Sequence, residues 1–274
     1  MKPEDFDLIS TLVKDRSGLV LTKDKLYLLE SRLVPLARKR GMSGLGDLVA
    51  VLRNGRDERL VSDVTEAMTT NESSFFRDIK PYEHLRQMVL PRLMQSRASR
   101  RQIRIWSAAA STGQEAYSIA ISLREESAKL AGWRTEIVGT DLSNEVLEKA
   151  RTGFYTQFEV QRGMPVALLM RYFTQVGEVW QIDPSIRAMV KFRPQNLLAS
   201  FAALGAFDVV FCRNVLIYFD QQTKTQVLAK IARQMPADGL LFLGGAETVL
   251  GISNAFRPLS GFRGVYELTG QTRH

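Results

Sequence analysis

Apolar residues recur at helical spacing through the first 70 positions. Phe6, Ile9, Leu12 and Val13 form one stripe, which stops near Gly18. Leu26, Leu29, Leu33 and Leu36 form a second, with Thr22 placed to cap its start and Arg38, Lys39, Arg40 and Gly41 at its end. Cations and a glycine there suit the negative end of a helix dipole and a left-handed cap. Two shorter stripes predict helices at 45–53 and 58–68. After the polar stretch TTNESSFFRD, 69–78, one more helix is predicted at 80–93, with Pro81 in its first turn. The pattern then changes. Short apolar runs at 103–106, 136–140, 189–192, 207–212, 239–244 and 262–268 predict strands, and helical stripes follow Gly113 and fill 143–151 and 221–235. The run FDVVFC at 207–212 is nearly all apolar, as in a parallel strand covered on both faces. Residues 154–184 break the alternation. They hold a helix around Leu168, Leu169, Tyr172 and Phe173 and one convincing strand, 178–182, and read as an insertion outside the main sheet. The expected organisation is an all-helical domain over 1–70 and an α/β domain over 71–274, interrupted at about 154–184.

The chemistry is expected around QIRIWSAAASTGQEAYSIAISLRE, 102–125. Strand, small-residue loop and helix open the nucleotide site of a Rossmann-like fold, because small residues let the backbone approach a ligand closely. Asp141 ends the second strand, where such folds hold a ribose hydroxyl. A dinucleotide site needs G-x-G-x-x-G facing a pyrophosphate. Here Gly113 is the only glycine of the loop, and Glu115 at the helix start would repel phosphate. That carboxylate suits S-adenosylmethionine, which carries an ammonium and a sulfonium and no phosphate. Equally, Glu115 reads as a first-turn acid that complements the helix dipole.

Composition narrows the choices. The 274 residues suffice for one large or two small domains, and 45% apolar content is ordinary for a globular protein. The longest uncharged run, 194–207, is 14 residues, too short to cross a bilayer. The start, MKPEDFD, lacks the basic and apolar regions of a signal peptide, so a cytoplasmic protein is expected. The single cysteine, Cys212, fits a reducing compartment. With only His84 and His274, neither a histidine-rich metal site nor a Ser-His-Asp triad is expected. The chemistry falls to carboxylates, arginines, tyrosines or a cofactor. A net charge of +8 points to an acidic partner, and the charge is clustered: six arginines and no acid over 86–104, and a cationic excess over 23–40.

Three stretches together carry a family resemblance: WSAAASTGQEAYS, TTNESSFFRD and FCRNVLIYFD, behind a basic helical head. They resemble the CheR family, the bacterial chemoreceptor glutamate methyltransferases, over essentially the whole chain. One departure is Ala109-Ala110, where family members often carry Gly-Cys or Gly-Ala. The resemblance implies an all-α N-terminal domain, a Rossmann-like S-adenosylmethionine-dependent methyltransferase domain and a small β-subdomain inserted in it. It also implies methyl transfer to glutamates on the acidic signalling helices of membrane chemoreceptors, leaving S-adenosylhomocysteine and using no metal. Cofactor contacts would fall on Asn71, Ser73, Arg77, Glu115, Asp141, Asn196, Leu197, Asn214 and Val215. Arg77 and Tyr218 would be catalytic, facing the sulfonium, while Arg32, Arg38, Lys39 and Arg40 of the head would dock the receptor. A cytoplasmic monomer with no nucleic-acid partner and no membrane insertion is expected.

The chemistry agrees with the composition. A glutamate with a reference pKa of about 4.3 is already ionised at neutral pH and needs no general base. Arg77 can orient a carboxylate through its planar fork, and Tyr218 can offer a hydroxyl and an aromatic face to a cation. Two alternatives stand beside this reading. A nucleic-acid methyltransferase would explain the basic charge, but the place of an Asn/Asp-Pro-Pro-aromatic motif reads RNVLIY, without prolines. A non-catalytic S-adenosylmethionine-binding regulator would have lost Arg77, Tyr218 or Asp141, and all are present. Some family members capture a receptor's C-terminal peptide as an added strand on the inserted subdomain. With one convincing strand around Trp180, this chain is expected to work without that tether.

Overall fold

In a computed structural model, which describes residues 2–55 and 57–270, the chain divides into two compact units. One unit is Met1–Thr70 with Tyr218–Lys224, and the other is Asn71–Ile217 with Thr225–His274. His274 lies outside the described residues.

The first unit holds α1 (Pro3–Ser17), α2 (Leu26–Lys39), α3 (Leu45–Arg53) and α4 (Glu58–Met68). In α1 Pro3 and two acids fill the first turn, Lys14 and Arg16 the last, and Gly18 ends it in the left-handed region at φ 82°. The apolar stripes become its core: Phe6, Ile9, Val13, Leu29, Leu33, Leu48, Leu60 and Val64 are buried. Thr22 is not the cap of α2. Its side chain makes no capping bond, a 3-10 turn fills Lys23–Lys25, and the helix proper begins at Leu26. The segment from Tyr218 joins this unit through its backbone: Val20 N–H donates to the Tyr218 carbonyl at 2.9 Å, and Leu19 bridges Phe219. Lys14 and Asp220 pair at 2.8 Å.

In the second unit the expected helix at 80–93 is α5 (Lys80–His84) and α6 (Leu90–Ser96), joined by a π turn over Leu85–Val89. Pro91 lacks an N–H and crowds the carbonyl four residues earlier, so the turn before it must widen. The chain then runs through β1 (Gln102–Ala108), α7 (Gln114–Glu125), β2 (Arg134–Asp141), α8 (Asn144–Thr152), β3 (Phe154–Thr156), α9 (Gln157–Gln161) and α10 (Val166–Tyr172). It continues with β4 (Phe173–Val176), β5 (Val179–Ile182), α11 (Pro184–Arg187), β6 (Val190–Pro194), β7 (Val209–Cys212), α12 (Gln221–Arg233), β8 (Leu240–Leu243), β9 (Phe256–Pro258) and β10 (Val265–Leu268).

Seven strands form one sheet in the order β6-β2-β1-β7-β8-β10-β9. Five are parallel, and β10 and β9 add on as an antiparallel edge. Every residue of β7 and β8 is buried, as their apolar runs predict. The insertion forms a separate antiparallel sheet, β3-β5-β4, where the sequence predicts one strand. The difference lies in Phe173 and its neighbours. The apolar stripe stops being a helix at Tyr172, and Phe173–Val176 turns back through Gly177 and Glu178 to pair with β5. Gly177 stands at φ 62°, the backbone a two-residue hairpin asks for.

The arginine-rich run at 86–104 is largely paired within its own unit, although Arg100 and Arg101 are exposed. Arg97 is buried between Asp208 and Asp238, and Arg100 shares Asp208. Arg104 pairs with Glu136 at 2.8 Å, donates to the carbonyls of Leu204 and Ala206, and lies 4.5 Å over the Phe207 ring.

Candidate functional site

The strand order reverses beside β1, which lies between β2 and β7. Open parallel sheets bind their ligands outside the carboxyl ends of the strands at such a point. The loop leaving β1 is held in an uncommon shape, with Ala109 at φ 63°, Ser111 at 51° and Gly113 at 95°. Left-handed backbone costs a non-glycine residue roughly 1–2 kcal/mol and persists where its surroundings over-determine it. Here they do. Ala110 N–H donates to the Thr140 carbonyl and Ser111 N–H to Asp141 Oδ2, both at 2.8 Å. Ala109 carries its strain without glycine's freedom. Gly113 is different: a Cβ there would come within 3.0 Å of Ala150 and 3.2 Å of Phe192.

Asp141 is buried, as the last residue of β2, and its second oxygen accepts from Ser143 N–H at 3.0 Å. Two backbone amides therefore fix the orientation of this carboxylate. Glu115 sits in the first turn of α7 and accepts from the Ser107 hydroxyl at 2.8 Å and from Arg213 Nη1 at 3.1 Å. Burial pushes the Glu115 carboxyl up, and the Arg213 guanidinium opposes that. Glu115 is thus more than a dipole complement: it is half of an internal ion pair.

Arg77 lies in a second strained loop, with left-handed backbone at Phe76, Asp78 and Ile79. Its half-buried side chain reaches the Glu72 carbonyl at 3.4 Å. Its own carbonyl accepts from Arg213 Nη2 at 3.0 Å, and Asp78 Oδ2 takes the same nitrogen at 2.6 Å. The inserted subdomain braces this loop from within the same unit. Phe75 meets the rings of Tyr155 and Phe173 edge-on, at 4.9 and 5.4 Å, and Glu72 pairs with Arg162. Gly163 packs so closely that a Cβ would lie 2.1 Å from the Phe75 carbonyl oxygen. Asn71 joins the β1 loop through its carbonyl, which accepts from Ser111 Oγ at 2.7 Å, and Ser73 is half-buried nearby in sequence.

Asn196 and Leu197 follow β6. The Asn196 side chain caps Leu198 N–H at 2.8 Å, and Lys230 holds the Leu197 carbonyl at 2.6 Å. Asn214 and Val215 follow β7, with Asn214 at φ 59°. Their amides donate to Glu247 at 2.8 and 3.0 Å, and the same carboxylate accepts from Gly244 and Ile217. The second unit therefore gathers Asn71, Arg77, Glu115, Asp141, Asn196, Leu197, Asn214 and Val215 at the strand ends or on a loop bonded to them. Tyr218 is not among them: it belongs to the first unit. Arg213 and Glu247 went unassigned in the sequence. Arg213 stands inside the motif FCRNVLIYFD, while Glu247 has only the local signal of an acid after Gly244 and Gly245.

Of the four docking candidates in the first unit, two are occupied internally. Arg32 donates to the Met68 and Thr69 carbonyls, both at 2.8 Å, and Arg40 pairs with Asp57 and Asp63. Arg38 and Lys39 are exposed. Among the described residues, no cluster of three or more His, Cys, Asp or Glu side chains could hold a metal ion, and no helix is long and apolar enough to cross a membrane.

Two carboxylates, side-chain amides and a loop without repeated glycines fit a ligand that bears hydroxyls and an ammonium. They do not fit a pyrophosphate, which wants amides and cations. Comparison with known proteins points the same way. The model of the family described as "CheR methyltransferase, SAM binding domain" matches residues 71–265, and "CheR methyltransferase, all-alpha domain" matches 4–69. Chemotaxis protein methyltransferase 1 of Pseudomonas aeruginosa is 43% identical over 89% of this chain and 90% of its own. Chemotaxis protein methyltransferase Cher2 of Pseudomonas putida is 40% identical over 92% and 93%. The chemotaxis protein methyltransferase of Escherichia coli is 34% identical over 92% and 86%.

Proposed function

The chain belongs to the CheR methyltransferase family, and from that premise we propose that it methylates glutamate side chains of membrane chemoreceptors in the cytoplasm. The observation that supports this most is the gathering of Glu115, Asp141, Asn196 and Asn214 at the strand ends of a unit that also carries Arg77 on a braced loop. S-adenosylmethionine, when bound, supplies an electrophilic methyl group that a carboxylate oxygen can take by in-line displacement.

The residues of this chain hold and align. Asp141, fixed by two amides, is suited to a ribose hydroxyl, and Glu115 to an ammonium. Asn196, Leu197, Asn214 and Val215 offer amide and apolar contacts along the same strand ends, and Asn71 and Ser73 offer polar groups from the loop that carries Arg77. Arg77 orients the incoming carboxylate rather than activating it, because tight pairing would blunt a nucleophile that is already ionised at neutral pH. Tyr218 supplies a hydroxyl and an aromatic face to the cationic centre. Exclusion of water from the carboxylate does the rest. The enzyme acts as a monomer, needs no metal and engages acidic receptor helices through the basic end of α2. It has no nucleic-acid partner.

The test is incubation with methyl-labelled S-adenosylmethionine and receptor-bearing membranes, followed by alkali. Carboxyl methyl esters release volatile labelled methanol. Label that stays on the protein through alkali would mean N-methylation, and label on nucleic acid would revive the basic-charge alternative.

A further inference from the structure

Arg213 is the most buried guanidinium of the candidate site, with 1% of its side chain exposed. It lies one residue before Asn214 and has no place in the chemistry described so far. Its two terminal nitrogens meet acceptors from two distant segments. Nη1 donates to Glu115 in α7, and Nη2 donates to the Arg77 carbonyl and to Asp78. We propose that Arg213 is a positioning residue that ties Glu115 to the loop carrying Arg77, so that two cofactor-facing groups form one preset wall. This rests on the reading that Glu115 faces the cofactor's ammonium.

Geometry supports the role. A guanidinium presents a rigid planar fork, which a lysine ammonium cannot reproduce. The loop it grips is left-handed at Phe76, Asp78 and Ile79, a shape that persists only under outside constraint. A buried cation without partners is costly, so Arg213 is not a chance occupant of this place.

The charge balance around Glu115 gives the proposal a signature. Glu247 is the nearby anion, Arg213 is the cation and is itself shared with Asp78, and the Ser107 hydroxyl donates a bond. Tyr82 and Cys212, also close, are pushed upward by burial and stay neutral at neutral pH. Burial already pushes Glu115 up, and Arg213 is the largest influence holding it down. Without Arg213 the Glu115 carboxyl takes a proton more readily than in the wild type, so its attraction for an ammonium weakens as pH falls and strengthens as pH rises.

The experiment is calorimetric binding of S-adenosylhomocysteine at pH 6 and pH 8 to the full chain. The wild type should change less than about twofold between them. Arg213→Gln should bind at least tenfold more weakly at pH 6 and recover several-fold at pH 8. In the double variant Arg213→Gln/Glu115→Gln that recovery should vanish. If Arg213→Gln does not melt cooperatively, Arg213→Lys takes its place. Keeping the charge but losing the fork, it should bind several-fold more weakly than wild type with a pH-flat profile. Wild-type affinity in either single variant, or a loss in Arg213→Gln that is the same at both pH values, would overturn the proposal in favour of a merely structural arginine. Failure of the wild type to bind S-adenosylhomocysteine would instead overturn the cofactor reading, and the proposal with it.

Discussion

Two stretches of this chain look alike in sequence, both rich in cations, and the fold uses them differently. At 86–104 Arg97 is buried, Arg86, Arg92 and Arg104 are half-buried and Arg100 and Arg101 are exposed, yet four of these six arginines pair with carboxylates of their own unit. Arg97 (9% exposed) and Asp208 (3% exposed) form a buried pair, Asp238 takes the other face of Arg97, and Arg104 is spent on Glu136 and two carbonyls. At 23–40 the same density splits within one helix. Arg32 and Arg40 face acceptors of their own unit, while Arg38 and Lys39 stay exposed at the helix end. Linear charge density is therefore no measure of surface charge. What decides is whether carboxylates and orphan carbonyls come to the same place in the fold, and that is a non-local property.

The buried pair of the 86–104 stretch should show itself as stability. Arg97→Ala leaves Asp208 buried with fewer partners and should cost about 3–5 kcal/mol, the usual scale for breaking a buried pair from one side. Denaturant unfolding at pH 7 measures it. Arg97 also holds the Asp238 carboxyl below the usual aspartate range, chiefly through its hydrogen bonds. A carboxyl lowered by folding contributes stability above its unfolded value, and that share is lost as pH falls through the lowered folded one. The gap between wild type and variant should thus narrow below about pH 4. A loss under 1 kcal/mol at neutral pH would mean that this arginine is solvated after all.

The two occupied arginines of the first unit should rank below it. Arg32 donates to the Met68 and Thr69 carbonyls at the end of α4. Removing it should cost about 1.5–3 kcal/mol, the scale for hydrogen bonds made by a charged group. Arg32→Lys should restore only part. Arg40 has a quarter of its side chain exposed and pairs with acids that are more exposed still. Arg40→Ala should cost about 0.2–1 kcal/mol, and less again in high salt. Thermal melts of the three variants at two salt concentrations give the order, and a reversal of Arg32 and Arg40 would break it.

Much of the fold was legible because its signals are local. The seven predicted strands, six in the main sheet and one in the insertion, all exist, and the helices at 45–53 and 58–68 have the predicted bounds, since stripes and caps are read within a turn or two. The failures are short or constrained from afar. Strands β3, β4 and β9 are three or four residues long, too short for a period to register. Val176-Gly177-Glu178-Val179 did hold a readable hairpin signal. The site divides the same way. Asp141 is legible because a strand-end acid is a local feature. Arg213 lies 98 positions from Glu115 and 135 from Asp78, and Glu247 lies 32 and 33 from the amides of Val215 and Asn214. No pattern along the chain announces such partners.

The smallest effect on stability should come with the most specific effect on function. Arg38 and Lys39 are exposed in the last turn of α2 and, among the described residues, form no ion pair. Arg38→Gln/Lys39→Gln should therefore shift stability by no more than about 0.5 kcal/mol, the range of ordinary surface changes. Glutamine avoids placing an anion at the negative end of a helix. If the end of α2 meets acidic receptor helices, the double variant should raise the receptor KM several-fold and leave kcat intact, because binding is lost without touching the reacting groups. The wild-type advantage should fade as salt rises, since exposed charges are screened beyond a Debye length of about 8 Å at physiological ionic strength and about 3 Å at 1 M. Arg100→Gln/Arg104→Gln is the control from the other stretch, as it also removes two positive charges but from residues paired within their own unit. It should lower the melting temperature and leave the receptor KM alone. A KM that rises equally in both variants would show that net charge, not the end of α2, draws the receptor, and the contrast between the two stretches would then hold for stability only.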